Sequence, residues 1–84
     1  MEVNDELTIK DLRIEMRPIC QSKAEEFHLL GYEHVSAEEI WDCVASRYKS
    51  SVPALHQVVN DILSLKVTVF MNWMTMRVYR GEFE

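Results

Sequence analysis

Glycine and proline are scarce in this chain, with two of each among 84 residues. Sheets with many tight turns depend on these residues, so their scarcity favours a few long elements over a multi-strand sheet. The two glycines, Gly31 and Gly81, also supply no glycine-rich loop that would hold a phosphate. The composition therefore predicts an all-α chain without a nucleotide-binding loop.

Cysteine and histidine are few, and their spacing fits no known metal site. Cys20 and Cys43 form no Cys-x-x-Cys pair, and together with His28, His34 and His56 they match no zinc-finger or zinc-ribbon pattern. A single Glu-x-x-His pair is present, whereas di-metal helical bundles need two such pairs and further glutamates. No surrounding loop supplies an oxyanion hole for a Cys/His pair. We therefore expect no metal, no cofactor and no enzymatic activity.

Long apolar runs are absent too. None approaches the roughly 20 residues that a membrane-spanning helix needs, and the acidic start of the sequence is unlike a signal peptide. We expect a cytoplasmic protein without membrane insertion. In that compartment Cys20 and Cys43 are expected to be reduced core residues, and a disulfide between them is the alternative.

Charge is unevenly distributed along the chain, whose net charge is −5. Residues 1–45 hold eleven acids and four bases, and residues 46–84 hold three acids and five bases. An acidic protein is repelled by phosphate, so direct RNA binding is only the alternative hypothesis. Its candidate RNA contacts are the bases of the second half: Arg47, Lys49, Lys66, Arg77 and Arg80.

Apolar residues recur at helical spacing and predict a bundle of four helices in one domain, residues 1–84. The first helix covers residues 8–30, and Pro18 is expected to kink or split it. Gly31 follows as a helix stop. Its apolar stripe is Leu12, Met16, Cys20, Ala24, Phe27 and Leu30.

The second helix carries the strongest local signal. Ser36 and Glu39 have the spacing of a capping box, and Val35 and Ile40 stand where a hydrophobic staple needs them. We expect the helix to end at residues 50–51. Its predicted buried face is Ile40, Trp41, Val44, Ala45 and Tyr48.

Two further helices are predicted in the C-terminal half. Pro53 suits the first turn of the third helix, whose apolar positions are Leu55, Val58, Val59, Ile62 and Leu65. Residues 66–79 have some strand propensity. However, Thr68 is a plausible helix cap, and a lone strand would have no partner, so we predict a fourth helix. Residues 1–7 and 81–84 are expected to fray.

The last predicted helix is apolar on more than one side, which is unusual for a surface helix. Either the other helices surround it, or part of it contacts a partner. Aromatic residues, Met and Arg are enriched in protein interfaces, so we expect a protein-interaction surface and self-association, such as a homodimer, through this segment. The candidate interaction residues are Phe70, Trp73, Met74, Met76 and Tyr79.

Several segments, in this order and spacing, resemble one family. They are residues 23–32, 40–41, 55–56, 59–65 and 70–73. Together they resemble the ComN-like post-transcriptional regulators, short helical proteins of spore-forming, low-GC Gram-positive bacteria. The resemblance implies an effect on the level of competence-gene mRNA, and association with the coiled-coil scaffold at division septa and cell poles. It implies no catalytic residues.

The resulting hypothesis is a non-enzymatic helical adaptor that influences competence-gene mRNA through protein contacts. Its effect on RNA is then indirect or weak, and its location at septa and poles comes through the partner. Direct RNA binding by the basic C-terminal half is the alternative.

Overall fold

The computed structural model describes residues 9–48 and 53–79, and this part of the chain contains helices and no strand. The predicted all-α class is therefore confirmed for the described residues, which form five helices and not the predicted four. The predicted ends at residues 50–51 and at Gly81, and the predicted fraying of residues 1–7 and 81–84, lie outside the described residues. The helices are α1 Ile9–Glu15, α2 Arg17–Leu29, α3 Ala37–Ala45, α4 Leu55–Leu63 and α5 Val67–Tyr79.

The first predicted helix is split into α1 and α2 at Met16, two residues before Pro18. Pro18 lies in the first turn of α2, where its missing N–H leaves no helical hydrogen bond unmade. Leu12, Met16 and Cys20 are all buried, so the predicted apolar stripe continues across the break. The stripe stops at Phe27, because Leu30 is exposed and not, as predicted, part of the buried face.

Gly31 ends α2 with a Schellman motif, as its position predicts. Its backbone has a φ of +105°, a region that L side chains rarely adopt. The N–H of Gly31 donates to the carbonyl of His28 at 2.9 Å, and the N–H of Tyr32 donates to that of Phe27 at 3.0 Å. The chain therefore changes direction at Gly31, and residues 31–35 form a loop between α2 and α3.

The predicted capping box at the start of α3 is present. The Ser36 hydroxyl accepts from the Glu39 N–H, and the Glu39 carboxylate accepts from the Ser36 N–H, both at 3.1 Å. Val35 and Ile40, the predicted staple pair, are both buried. Beyond the helix, the Tyr48 hydroxyl donates to the Asp61 carboxylate at 2.5 Å and joins the end of this segment to α4.

Two predicted helix starts are wrong by one or two residues. α4 begins at Leu55 with Ala54 as its cap, so Pro53 precedes the helix and is not in its first turn. Leu55 is exposed, although it is one of the apolar positions at helical spacing. α5 begins at Val67, one residue before the predicted cap Thr68, and the Phe70 N–H donates to the carbonyl of Lys66 at 3.0 Å. The preference for helix over strand in this segment is confirmed.

The core lies where α2, α3 and α4 meet, and α5 packs against α3. Cys20 and Cys43 are buried free thiols, as predicted. Ala45 and Tyr48 are only partly buried at the edge of the core. Among the described residues, the side chains with no exposed surface are Phe27, Ile40, Val44, Val58, Ile62 and Phe70.

Candidate docking surface on the last helix

One face of α5 attaches the helix to the core. Phe70 is fully buried, and Val67, Trp73, Met74 and Arg77 are partly buried on the same side. These positions repeat at three- and four-residue steps, so a helix places them on one face. The remaining faces of this apolar helix are exposed.

Phe70 is the residue that anchors this face. Its ring lies 5.6 Å from the Phe27 ring and 5.9 Å from the Trp73 ring, measured between ring centroids. Phe70 was a predicted interaction residue; it has no exposed surface in the chain alone and packs as a core residue. Trp73 is half-buried beside it, and only its outer part is accessible.

Arg77 holds the C-terminal half of α5 against α3. Its guanidinium lies 4.0 Å from the Asp42 carboxylate and 4.9 Å from the centre of the Trp73 ring. Burial raises the pKa of the Asp42 carboxyl, and the positive charge of Arg77 partly opposes that rise. The predicted RNA contact Arg77 is therefore already engaged in a contact between helices.

The other predicted RNA contacts within the described residues are exposed. Arg47 is exposed just after α3, and Lys66 is exposed just before α5. At a rise of about 1.5 Å per residue, Lys66 and Arg77 lie roughly 16 Å apart along α5. Lys49 and Arg80 lie outside the described residues.

The solvent-facing side of α5 has two apolar edges. We call Met71 and Val78 the groove edge, and Val69 and Met76 the outer edge; each pair is separated by seven residues and so lies on one side of the helix. All four side chains are exposed, with Met71 37% and Met76 45% accessible. Between the edges runs a polar stripe made of Thr68, Asn72, Thr75 and Tyr79.

The remaining predicted interaction residues fall on or near these edges. Met76 belongs to the outer edge, and Met74 is partly buried beside the groove edge. Tyr79 is 82% exposed at the end of the helix. The sequence analysis did not name Val69, Met71 and Val78 as interaction residues. The signal for them was their spacing in the predicted last helix, which places them away from the Phe70 face.

A groove of about 280 Å³ lies between residues 31–35 and the part of α5 that carries Met71 and Met74. Its surface is mostly apolar, and sequence reasoning did not predict it, because no local pattern links segments so far apart in the chain. Its lining is Gly31, Tyr32, Glu33, His34, Val35, Glu39, Phe70, Met71 and Met74.

Three potentially reactive side chains, those of Cys20, Cys43 and His28, take part in packing or hydrogen bonding within the fold. Burial raises the pKa of the Cys20 and Cys43 thiols to about 11, so both stay protonated at neutral pH and are poor nucleophiles. The His28 ring nitrogen Nε2 lies 2.7 Å from the carbonyl of Val35 and ties α2 to the start of α3. Within residues 9–48 and 53–79, no three His, Cys, Asp or Glu side chains are grouped to hold a metal ion.

None of the described helices combines the length and the apolar character that crossing a bilayer requires.

Comparison with known proteins places the chain in a family. The sequence model of a family described as post-transcriptional regulators matches residues 9–84. The chain is also 34% identical over 67 residues to the post-transcriptional regulator ComN of Bacillus subtilis (strain 168), covering 77% of this chain and 68% of the relative. No solved structure matches the chain. The family resemblance seen in the sequence is confirmed, and the chain belongs to the family of post-transcriptional regulators.

Proposed function

We propose that this chain is a non-enzymatic adaptor that acts after transcription by docking α5 onto a protein partner. The observation that carries the proposal is the exposure of two apolar edges on a helix whose third side is anchored in the core. Exposed apolar side chains grouped on one rigid element are typical of a protein-interaction surface. The anchoring by Phe70 and Arg77 keeps this surface in a fixed orientation, which reduces the entropy lost on binding.

Charge favours a protein partner over direct RNA contact. The chain has a net charge of −5, and an acidic protein gains little from the counterion release that drives RNA binding. Arg77 is paired with Asp42, and Lys66 lies at the opposite end of α5. An effect on RNA is therefore assigned to the partner.

The proposal includes the finer function that the family resemblance implied. The regulated transcripts are those of competence genes, and the partner is a coiled-coil scaffold at division septa and cell poles. Family membership supports only the general role in post-transcriptional regulation. The adaptor mechanism rests on the exposed edges of α5.

Capture from a native lysate, with and without nuclease, tests the docking function. The double variant Met71→Asp/Met76→Asp places a charge on each apolar edge, and we expect it to reduce partner capture at least about tenfold. The matched control Thr68→Asp/Asn72→Asp adds the same charge to the polar stripe of the same helix, and it should retain capture. Capture that disappears on nuclease treatment of the wild type contradicts the adaptor.

Filter binding of RNA across a salt series tests the alternative. We expect weak binding with a shallow salt dependence, since few phosphates are neutralised. Tight binding that falls steeply with salt, and that Arg47→Ala/Lys66→Ala weakens, would instead support a direct RNA binder.

A further inference from the structure

We propose that the groove between residues 31–35 and α5 binds a segment of a partner protein that carries two large apolar side chains flanked by Lys or Arg. This inference deepens the proposed docking function and rests on it. The proposed function names the apolar edges of α5 only, whereas this inference names a specific groove and the chemistry of the segment that binds in it.

The floor and walls of the groove supply the apolar part of the recognition. Phe70 and Val35 form its buried base, and Tyr32, Met71 and Met74 line its sides. An engineered apolar cavity of about 150 Å³ holds one benzene ring. The volume of about 280 Å³ therefore has room for two aromatic or branched aliphatic side chains. Methionine side chains adapt their shape to such groups.

The rim of the groove supplies the charge. Glu33 and Glu39 are carboxylates, and the lining contains no Lys or Arg. One oxygen of Glu39 accepts the backbone N–H of Ser36, which fixes this carboxylate beside the groove. Two acidic groups at the mouth of an apolar site favour an occupant with basic residues on either side of its apolar ones.

The same charges argue against occupants from this chain. Residues 80–84, which follow α5, contain one base and two acids, and residues 1–8 contain three acids. A second copy carries a net charge of −5 as well. Each of these would bring acidic groups towards Glu33 and Glu39, so a basic segment of another protein is the best match.

Fluorescence anisotropy with three labelled peptides tests the occupant on the purified full chain. Each peptide is about 12 residues long, roughly three helical turns. The first combines a Leu/Phe face with Lys/Arg flanks, the second replaces the bases by Glu, and the third replaces Leu and Phe by Ser. We expect the first to bind at least about tenfold tighter than either of the others, a difference of about 1.4 kcal/mol.

Matched variants of α5 test the location. Met71→Asp should weaken binding of the first peptide at least about tenfold. Met76→Asp, the same change on a similarly exposed residue about 140° around the helix, should leave it within about twofold. Glu33→Gln/Glu39→Gln should weaken the first peptide and reduce its advantage over the acidic one, while Gln at position 39 keeps the capping box.

Several results overturn the proposal. The first is equal binding of the basic and acidic peptides, and the second is an equal effect of Met71→Asp and Met76→Asp on peptide binding. The third is a wild-type dimer that Met71→Asp converts to monomer and Met76→Asp does not, because this result would show that a second copy fills the groove. If none of these peptides binds while the double variant still loses nuclease-resistant capture, the groove assignment fails and the docking function stands. If wild-type capture requires RNA, the docking function fails, and peptide binding still reports on the groove separately.

Discussion

Lys23 is the one buried charged residue among the side chains that the structure describes. Its ammonium donates to the carbonyl of Leu63 at 2.8 Å and to the Glu26 carboxylate at 3.0 Å, and it lies 5.8 Å from the centre of the Phe27 ring. Leu63 is the last residue of α4, where carbonyl groups lack helical partners and the helix dipole favours a positive charge. Lys23 therefore caps α4 from α2.

Replacing Lys23 by Met tests this cap. Met preserves most of the aliphatic chain but leaves the Leu63 carbonyl without its donor, so we expect the free energy of unfolding to fall by about 1–3 kcal/mol. Urea denaturation followed by circular dichroism measures the change. Lys66→Met is the control, because an exposed lysine should change stability by less than about 0.5 kcal/mol. Equal effects of the two substitutions would contradict the capping role.

The buried thiols predict how stability depends on alkaline pH. Burial raises the pKa of Cys20 and Cys43 from 9.0 to about 11 in the folded state. The folded chain therefore keeps protons that the unfolded chain releases in this window, and its stability decreases as pH rises through it, by at most about 1.4 kcal/mol per thiol per pH unit. As the pH rises between these two values, the urea midpoint of Cys20→Ala/Cys43→Ala should fall less than that of the wild type.

Thiol labelling at neutral pH gives a second check on the same burial. The folded protein should react with a thiol-specific chromophore only as fast as it unfolds, and both thiols should react at once in denaturant. Rapid labelling of one thiol in the folded state would show that its burial is wrong.

Burial of individual residues was predictable only where helical spacing coincided with a neighbouring helix. Cys20 and Cys43 were correctly assigned to the core, but Leu30 and Leu55 have apolar spacing and are exposed. Spacing gives the angle of a side chain around its helix, whereas burial also requires another helix at that height. The burial of Lys23 was not predicted, because the carbonyl that pairs with its ammonium is 40 residues away in the chain.

At the scale of elements, the start of α3 was predicted most accurately, because all its determinants are local. Ser36→Ala removes the acceptor for the Glu39 N–H and should lower the free energy of unfolding by about 0.5–2 kcal/mol. Ser22→Ala, at an exposed position inside α2, is the matched control and should be neutral or slightly stabilising, since Ala favours helix. Thermal denaturation of both variants measures the difference, and a neutral Ser36→Ala would contradict a stabilising cap.

Helix boundaries with weaker local signals were less predictable. Pro53 and Thr68 are both compatible with several positions near a helix start, and the structure places one before α4 and the other inside α5. Pro18 was more informative, because its missing N–H requires a break upstream, and the break occurs at Met16. A proline inside a continuous helical pattern thus constrains an element more than a proline or a cap residue near a helix start.

At the scale of the whole molecule, the all-α class followed from composition and periodicity, but the arrangement of surfaces did not. The groove combines residues 31–39 with residues 70–74, and nothing local to either segment indicates that they meet. The apolar character of α5 indicated that either the other helices or a partner contacts it. Only the packed structure separates the anchored face, with Phe70, from the two exposed edges.

The outer edge of α5 bears on self-association. Val69 and Met76 are exposed apolar residues on the side of the helix away from the acidic groove. Two copies that meet there keep the Glu33 and Glu39 carboxylates of one copy away from those of the other, which lowers the repulsion between them. An 84-residue chain buries a limited fraction of its surface when it folds alone, and covering this edge adds apolar burial. We therefore expect a homodimer that forms through the outer edge and leaves the groove edge and the groove for the protein partner.

Sedimentation velocity over a concentration series measures this association. The wild type should shift from monomer to dimer as concentration rises, and Met76→Asp should weaken the dimer at least about tenfold, because it places a charge in the contact. Met71→Asp, on the groove edge, and Asn72→Asp, on the polar stripe, should dimerise like the wild type. A wild-type monomer at high micromolar concentration would contradict the dimer. Since the groove is on the other edge, peptide binding there should persist in both monomer and dimer.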